Sequence, residues 1–376
     1  MAVQRWWSVL WTLLPAVCLA CTAYIDDFEV ADSADTTFSD NQTSGGSDST
    51  TGTGTGIIGD TAVDTGTQSP VDTTSSGGIE SDSGNGESDD DSEIPVVSCQ
   101  VSIATPAQTA ITFCAVPASQ TLLGCNDDVS GVVCASDEVP LHSVSLNAFD
   151  IMKYEVTQGQ FAEFIEANPN WAPDGTLGSI SCNTPYLSGW YEGAPLAAVE
   201  NQPVTEVCFD AAMAYCQWVG ANVTLPTEAQ FEKAARGNYA SPSDPYQLYP
   251  FGNNPSCTMA NYQMCFRRVL DVGTTVGASP YGVLDLAGNA AEWTRDLYRE
   301  DYYCNPTDAS TTLFTYPNCN SAYEFLNPEG SATGSNYVVK GGSWSTPVGE
   351  LQISARARQA PRNGTNLLGF RCVRNW

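Results

Sequence analysis

Histidine occurs once in the 376 residues, at His142. That scarcity excludes Ser-His-Asp and Cys-His catalysis, three-histidine iron sites and most general-base schemes that rely on imidazole. His142 lies in the strand-like stretch VPLHSVSL and reads as structural. Basic residues are also scarce, 14 Lys and Arg against 43 Asp and Glu, for a formal charge of -29. No basic stripe is available to meet phosphates, so nucleic acid is not an expected partner. The acidity suits an exported, soluble chain. Aromatic residues are missing from the stretch between Phe38 and Glu93. There Thr, Ser, Gly and Asp dominate, and such a composition cannot bury enough apolar surface to offset its chain entropy. Residues 21–95 are therefore expected to be a disordered acidic linker.

The N-terminal residues have the character of an export signal. Arg5 is the one charge before residues 6–20, WWSVLWTLLPAVCLA. That run is too short for a bilayer core of ~30 Å, and no basic cluster follows it. Residues 1–20 are expected to be a signal peptide. Leu19-Ala20-Cys21 resembles a bacterial lipoprotein box, with Cys21 as the lipidated residue. The expectation is a lipoprotein of the bacterial outer membrane or cell surface, which touches the membrane only through that anchor; the alternative is a periplasmic or secreted protein.

Twelve cysteines follow, from Cys99 to Cys372, and an even number in an exported chain reads as a disulfide set. None of these twelve stands in a CxxC, which disfavours zinc. Spacing alone suggests the local pairs Cys125 with Cys134, Cys257 with Cys265 and Cys304 with Cys319. It leaves Cys99, Cys114, Cys182 and Cys208 unassigned.

From residue 96 to 376 there is no second linker and no internal repeat, so one domain is expected. Three helices are legible. YEVTQGQFAEFIEA has Thr157 as N-cap, Gln160 completing a capping box, and Phe161, Phe164 and Ile165 on one face. In VCFDAAMAYCQWVGA, Asp210 is the expected cap of a helix that runs to Gly220. LPTEAQFEKAARG repeats the box with Thr227 and Gln230, and Gly237 supplies the stop. LHSVSL, YVVKGG and GFRCVRNW are strand-like. Few helices, short strands and many turns predict an α+β domain.

Six blocks, in order, carry a resemblance: DEVPLHSVSLNAFDIMKYEVTQGQF, QPVTEVCFDAAMAYCQWVGANVTLPTEAQFEKAARG, YPFGNNPSCTMANY, SPYGVLDLAGNAAEWTRDLY, VVKGGSWS and LLGFRC. Over roughly residues 110–376 the chain is similar to the formylglycine-generating enzyme, or sulfatase-modifying factor, family. Upstream, ITFCAVPASQTLLGC looks like that family's opening strand pair. The resemblance implies a variant of the C-type lectin fold with short twisted sheets, few helices and many loops. It also implies a cleft in which a copper-dependent oxidase converts a substrate cysteine to formylglycine.

Carried over residue by residue, the resemblance implies structural calcium at Asp285 and Glu292 through carboxylates and at Gly288 and Ala290 through carbonyls. Oxygen ligands of this kind suit a hard cation. A second calcium in the family would use Asn261 and the Tyr262 carbonyl, with only Asp271 available from the loop MCFRRVLDVG. It further implies a Cys216–Cys372 disulfide, which is worth ~4 to 5 kcal/mol in the chain-entropy model. In the family the two copper-binding cysteines lie in the loop after Gly-Gly-Ser-Trp, the first of them two residues beyond the tryptophan. Here Thr346 stands at that position, and no cysteine occurs between Cys319 and Cys372. A hydroxyl does not replace a thiolate toward Cu(I), so copper is not expected. Ser343, Ser345 and Thr346 would need Lys340 or Glu350 as a base to become nucleophiles.

The expected ligand cleft comprises Ser343, Trp344, Thr346 and Arg356, and binds a peptide or glycan. Formylglycine-generating oxidoreductase activity through a non-standard site is the alternative. Arg356 and Arg358 alternate as on a strand and would share a face, whereas Arg371 reads as one half of an internal ion pair.

Overall fold

The computed structural model describes residues 99–376 apart from 108, 174–181, 184, 192 and 305–324. The signal peptide, Cys21, the linker and Cys319 lie outside the described residues. By its contacts the chain divides into Met1–Gly86 and Glu87–Trp376, and every described residue belongs to the second unit.

Among the described residues there are twelve short strands and three α-helices. In chain order the strands begin with β1 (Val101–Ala104), β2 (Ala110–Val116), β3 (Ser119–Leu123), β4 (His142–Leu146) and β5 (Phe149–Met152). Helices α1 (Gln158–Ala167) and α2 (Phe209–Val219) come next, then β6 (Val223–Thr224) and α3 (Glu228–Arg236). The remainder is β7 (Ala291–Leu297), β8 (Phe325–Leu326), β9 (Tyr337–Lys340), β10 (Ala357–Gln359), β11 (Leu368–Gly369) and β12 (Val373–Asn375). They assemble into a five-stranded sheet β1-β2-β5-β12-β6, a four-stranded sheet β10-β9-β7-β11 and a three-stranded sheet β3-β4-β8. Most pairings are antiparallel, and β11 with β7 and β4 with β8 are parallel. The architecture is α+β, as the element pattern predicts.

The local signals explain α1 and α3. Thr157 and Thr227 each accept from the backbone N–H three residues on, and Gln160 and Gln230 each reach back to the cap N–H. Each box satisfies two donors that a helix start leaves orphaned. Phe161, Phe164 and Ile165 are buried against Tyr215, Phe370 and Trp293 in one apolar cluster. Gly237 ends α3 at φ +81°, where a Cβ would lie 2.8 Å from Pro280.

Helix α2 departs from expectation, because its N-cap is Cys208 and Asp210 lies within the first turn. The helix start is set by long-range partners instead: Cys208 is bridged to Cys182, and the Phe209 N–H donates to the Pro361 carbonyl at 2.9 Å. Asp210 then acts as a first-turn acid on the helix dipole. The expected opening strand pair also separates: β2 pairs with β1 and β5, and β3 pairs with β4.

Disulfides join Cys99 to Cys114, Cys125 to Cys134, Cys182 to Cys208, Cys216 to Cys372 and Cys257 to Cys265. Cys304 is also bridged, and Cys319, its expected partner, lies outside the described residues. The long Cys216–Cys372 link ties α2 to the entry of β12. His142 is buried, with Nδ1 2.9 Å from the Pro140 carbonyl and its ring between those of Tyr303 and Phe325. Burial lowers its pKa, so the imidazole stays neutral.

Candidate functional site

Strand β9 ends at Lys340, and Gly341 and Gly342 turn the chain at φ +84° and +65°. A Cβ on Gly342 would stand 2.7 Å from Leu351 Cδ2, so both backbone conformation and space demand glycine. The Gly341 carbonyl accepts from the Gly288 N–H at 3.0 Å, and the Trp344 N–H donates to the Asn289 carbonyl at 2.9 Å. These two bonds stitch the KGGSW turn to the LDLAGN loop. Two blocks more than fifty residues apart in sequence therefore form one site.

Within the turn the hydroxyls are already engaged. Thr346 Oγ1 accepts from the Ser343 N–H at 2.9 Å and lies 3.2 Å from Ser343 Oγ, while Ser343 Oγ accepts from the Ser345 N–H at 3.3 Å. Ser343 is buried and Trp344 is partly exposed, its Nε1 donating to the Asn366 carbonyl at 3.4 Å. Lys340 is not available as a base: it is fully buried, 3.5 Å from Glu232. All eleven described cysteines are disulfide-bonded.

Beside this turn lies the loop closed by Cys257–Cys265. The Gln263 N–H donates to the Thr346 carbonyl at 3.1 Å, which holds the loop against the turn. Met264 is 79% and Phe266 47% exposed.

Arg356 is placed elsewhere. Its Nε and Nη2 donate to Glu228 at 2.7 and 3.1 Å, and its Nη1 donates to the Asp137 and Arg299 carbonyls. With all three guanidinium nitrogens engaged inside the protein, it does not join Ser343, Trp344 and Thr346 in a cleft. Arg356 and Arg358 do share a face, both guanidinium groups lying about 5 Å from the Tyr298 ring centroid.

Behind the turn, acids converge. Asp285 accepts from the Gly273 N–H at 2.6 Å and from the Thr275 hydroxyl at 2.9 Å. Glu292 is gripped by Arg371, with Nε to Oε2 and Nη2 to Oε1 both at 2.7 Å. Glu155 Oε1 accepts from Asn289 Nδ2 at 3.1 Å and from the Ala290 N–H at 3.2 Å, while its Oε2 is buried without a partner. Burial, and then the facing Asp285, push the Glu155 carboxyl well above its ordinary range. Three buried acids thus face one guanidinium.

Among the described residues, no group of three or more His, Cys, Asp or Glu side chains is arranged to hold a metal ion. The calcium set that the resemblance implies draws half of its ligands from the main-chain carbonyls of Gly288 and Ala290. The acids outnumber Arg371, and no donor group reaches Glu155 Oε2, but Glu155 in its protonated form can hydrogen-bond to Asp285, so either a hard cation or a bound proton balances the cluster. At the second expected site Asn261 Oδ1 is likewise buried without a partner, and its Nδ2 donates to the Arg268 carbonyl and to Asn289 Oδ1. The Tyr262 carbonyl accepts from the Cys265 N–H, and Asp271 is exposed.

Residues 101–376 match the family described as the sulfatase-modifying factor enzyme 1-like domain. The chain belongs to this family. Among its curated relatives is the formylglycine-generating enzyme of Streptomyces coelicolor, 27% identical over 278 residues, covering 64% of this chain and 82% of the relative. The serine/threonine-protein kinase pkn1 of Chlamydia pneumoniae is 30% identical over 242 residues, covering 64% of this chain but only 35% of the kinase. This chain thus matches about a third of the kinase's length. Among solved structures, PvdO from Pseudomonas aeruginosa superposes with a TM-score of 0.52 at 22% identity, over 71% of this chain and 95% of PvdO. Treponema denticola variable protein 1 gives 0.52 at 20%, over 73% and 98%. These likenesses show the fold.

Glu155 and Asn289 lie among the candidate site residues of this sulfatase-modifying-factor domain, and sequence reasoning did not single them out. Asn289 joins both oxygen clusters: its Nδ2 donates to Glu155, and its Oδ1 accepts from Asn261 and from the Leu270 N–H. The available signal was the Gly288-Asn289 pair, which reads first as a turn, and the structure accordingly places Asn289 at φ +61°. For Glu155, the signal was an acid between Tyr154 and Val156 at the approach to an apolar helix face.

Proposed function

We propose that this chain is an exported, lipid-anchored sulfatase-modifying-factor domain that binds a ligand at the KGGSW turn without copper oxidase chemistry. Cys21 is the anchored residue and residues 21–95 are the tether. The observation that carries the reading is the fate of Thr346. The residue at the cysteine position spends its hydroxyl in closing the turn, and every described cysteine is locked in a disulfide. Soft thiolate ligands for Cu(I) are therefore lacking in the described domain.

Between the two ligand classes, a peptide fits better than a glycan. Trp344, Met264 and Phe266 offer partly exposed apolar side chains around a turn whose polar groups are already satisfied. Such a surface favours apolar side chains over hydroxyls. Calcium, held at Asp285, Gly288, Ala290 and Glu292 with Glu155 added, would brace the loop that carries this turn.

The test is to incubate the purified protein with copper, oxygen and a cysteine-containing sulfatase-type peptide. Binding is followed by titration calorimetry and the product by mass spectrometry. Saturable binding with the thiol left intact is expected. Conversion of the thiol to aldehyde would establish the alternative, oxidoreductase activity by a non-standard site.

A further inference from the structure

We propose a second binding site, for a neutral saccharide, in a cavity of about 330 Å³ at the start of α3. Asn147, Gln230, Arg295, Asn327, Asn375 and Trp376 line it, and it shares no residue with the KGGSW turn. Its volume lies at the small end of the ~300–1,000 Å³ range of small-molecule clefts. It thus suits one or two sugar rings better than a helix or strand of a partner.

The lining amides are only partly used within the protein. Gln230 is fully engaged, with Oε1 accepting from the Thr227 N–H at 3.0 Å and Nε2 donating to Asn375 Oδ1 at 2.7 Å. That bond fixes Asn375 and leaves its Nδ2 without a partner among the described residues. Asn327 Oδ1 accepts from the Asn147 N–H at 2.8 Å, which likewise leaves Asn327 Nδ2 and the whole Asn147 amide. Arg295 pairs with Glu329 through Nη2 at 3.0 Å, while its Nε is buried with no partner. That N–H is closed off from solvent and does not face a ligand, so the amides of Asn147, Asn327 and Asn375 are the groups open to one.

Charge and shape narrow the ligand. Glu329 cancels the charge of Arg295, so the lining residues leave no excess positive charge to hold phosphate or sulfate. Its amide donors and acceptors suit hydroxyl groups, which both donate and accept. One wall is aromatic: Trp376 is 74% exposed, and the Arg374 guanidinium lies 4.2 Å from its ring centroid. Arg374 is itself fixed by Asp150, with Nε to Oδ2 at 2.9 Å. A tryptophan held by a stacked, anchored arginine and still largely exposed presents an open apolar face. The C–H face of a pyranose can lie on it while the hydroxyls meet the amides.

The test uses the full chain on an array of neutral hexose-, deoxyhexose- and N-acetylhexosamine-terminated oligosaccharides. Phosphorylated and sulfated sugars and apolar peptides serve as competitors. Titration calorimetry on the best ligand is expected to show Trp376→Ala and Asn147→Ala each weakening affinity at least tenfold, with melting temperature unchanged. Both side chains are exposed, so neither variant threatens folding. Absence of any neutral-sugar ligand, preference for the anionic sugars or peptides, or full affinity in Trp376→Ala would overturn the proposal.

Discussion

Arg371 and Glu292 form a forked ion pair in which neither side chain reaches solvent. Arg371 Nη1 also donates to the Met152 carbonyl at 3.1 Å, so one guanidinium holds β7, β5 and the approach to β12 together. Breaking such a pair from one side leaves an uncompensated buried charge, a loss of about 3–5 kcal/mol. Arg371→Met and Glu292→Leu alone should each lower the unfolding free energy by roughly that amount in urea titrations. The double variant should recover part of it, because Glu292 no longer stands without a counter-charge, while Glu155, Asp285 and the Met152 carbonyl still lose the guanidinium. Equal loss in the single and double variants would show that the pair does not act as a unit.

The disulfides differ in what they restrain. Cys216–Cys372 closes a loop of 156 residues, and Cys257–Cys265 closes one of 8. The chain-entropy relation assigns about 5 kcal/mol to the first and about 2.5 kcal/mol to the second. Double alanine variants should therefore lose stability in that order, the first by about twice as much. The Cys257–Cys265 variant should instead show its larger effect on peptide binding, because that bridge holds the Met264–Phe266 loop against Thr346. Calorimetric melting together with peptide titration separates the two roles.

Asp296 is buried, and burial, followed by repulsion from Glu228, pushes its pKa up to about 8. Raised above the ordinary carboxyl value of about 3.9, it binds a proton in the folded protein that the unfolded chain has already released. Stability from this group is therefore complete below about pH 4 and is lost as pH climbs toward about 8. His142 works in the opposite direction: its lowered pKa makes stability rise with pH up to about 6.5. Between about pH 6.5 and 8 the unfolding free energy should therefore fall with pH, Asp296 adding to the fall from Glu155, whose carboxyl is also raised. Asp296→Asn should lessen that fall, as measured by urea midpoints across the window.

What was legible depended on the range of the interaction that decides it. The caps at Thr157 and Thr227 need only a residue three positions on, and both formed as read. Asp210 seemed to promise a cap by the same local rule, but the bond from the Phe209 N–H to Pro361 and the Cys182–Cys208 bridge set the cap two residues earlier, at Cys208. Cys99–Cys114 and Cys182–Cys208 could not be chosen from spacing, because a bridge needs Cβ atoms brought together by sheets and turns. Arg356 was misplaced for a similar reason. Its partner, Glu228, lies 128 residues away, so alternation on β10 revealed its face but not what the face meets. The KGGSW turn was legible as a block, while its stitching to Gly288 and Asn289 was not.

Calcium provides the sharpest test of the oxygen cluster behind the turn. Glu155, Asp285 and Glu292 bring three acids against Arg371, and a divalent ion would offset the excess. A ligand at one hundred times its dissociation constant adds about 2.7 kcal/mol, which for a domain of this size corresponds to roughly 5–10 °C in melting temperature. Saturating calcium should therefore raise the melting temperature by about that much, and a chelator should reverse it. Glu155→Gln keeps the shape and the Oε1 acceptor while removing the carboxylate that a cation would need. It should abolish the calcium-dependent rise yet leave the metal-free protein about as stable as the wild type, because burial already disfavours the ionised Glu155 and the amide can donate to Asp285 as the protonated acid does. Magnesium, which demands tighter octahedral geometry, should give a smaller rise. A wild-type melting temperature indifferent to calcium and chelator would mean that Arg371 and bound protons neutralise the acids, and that the loop needs no metal.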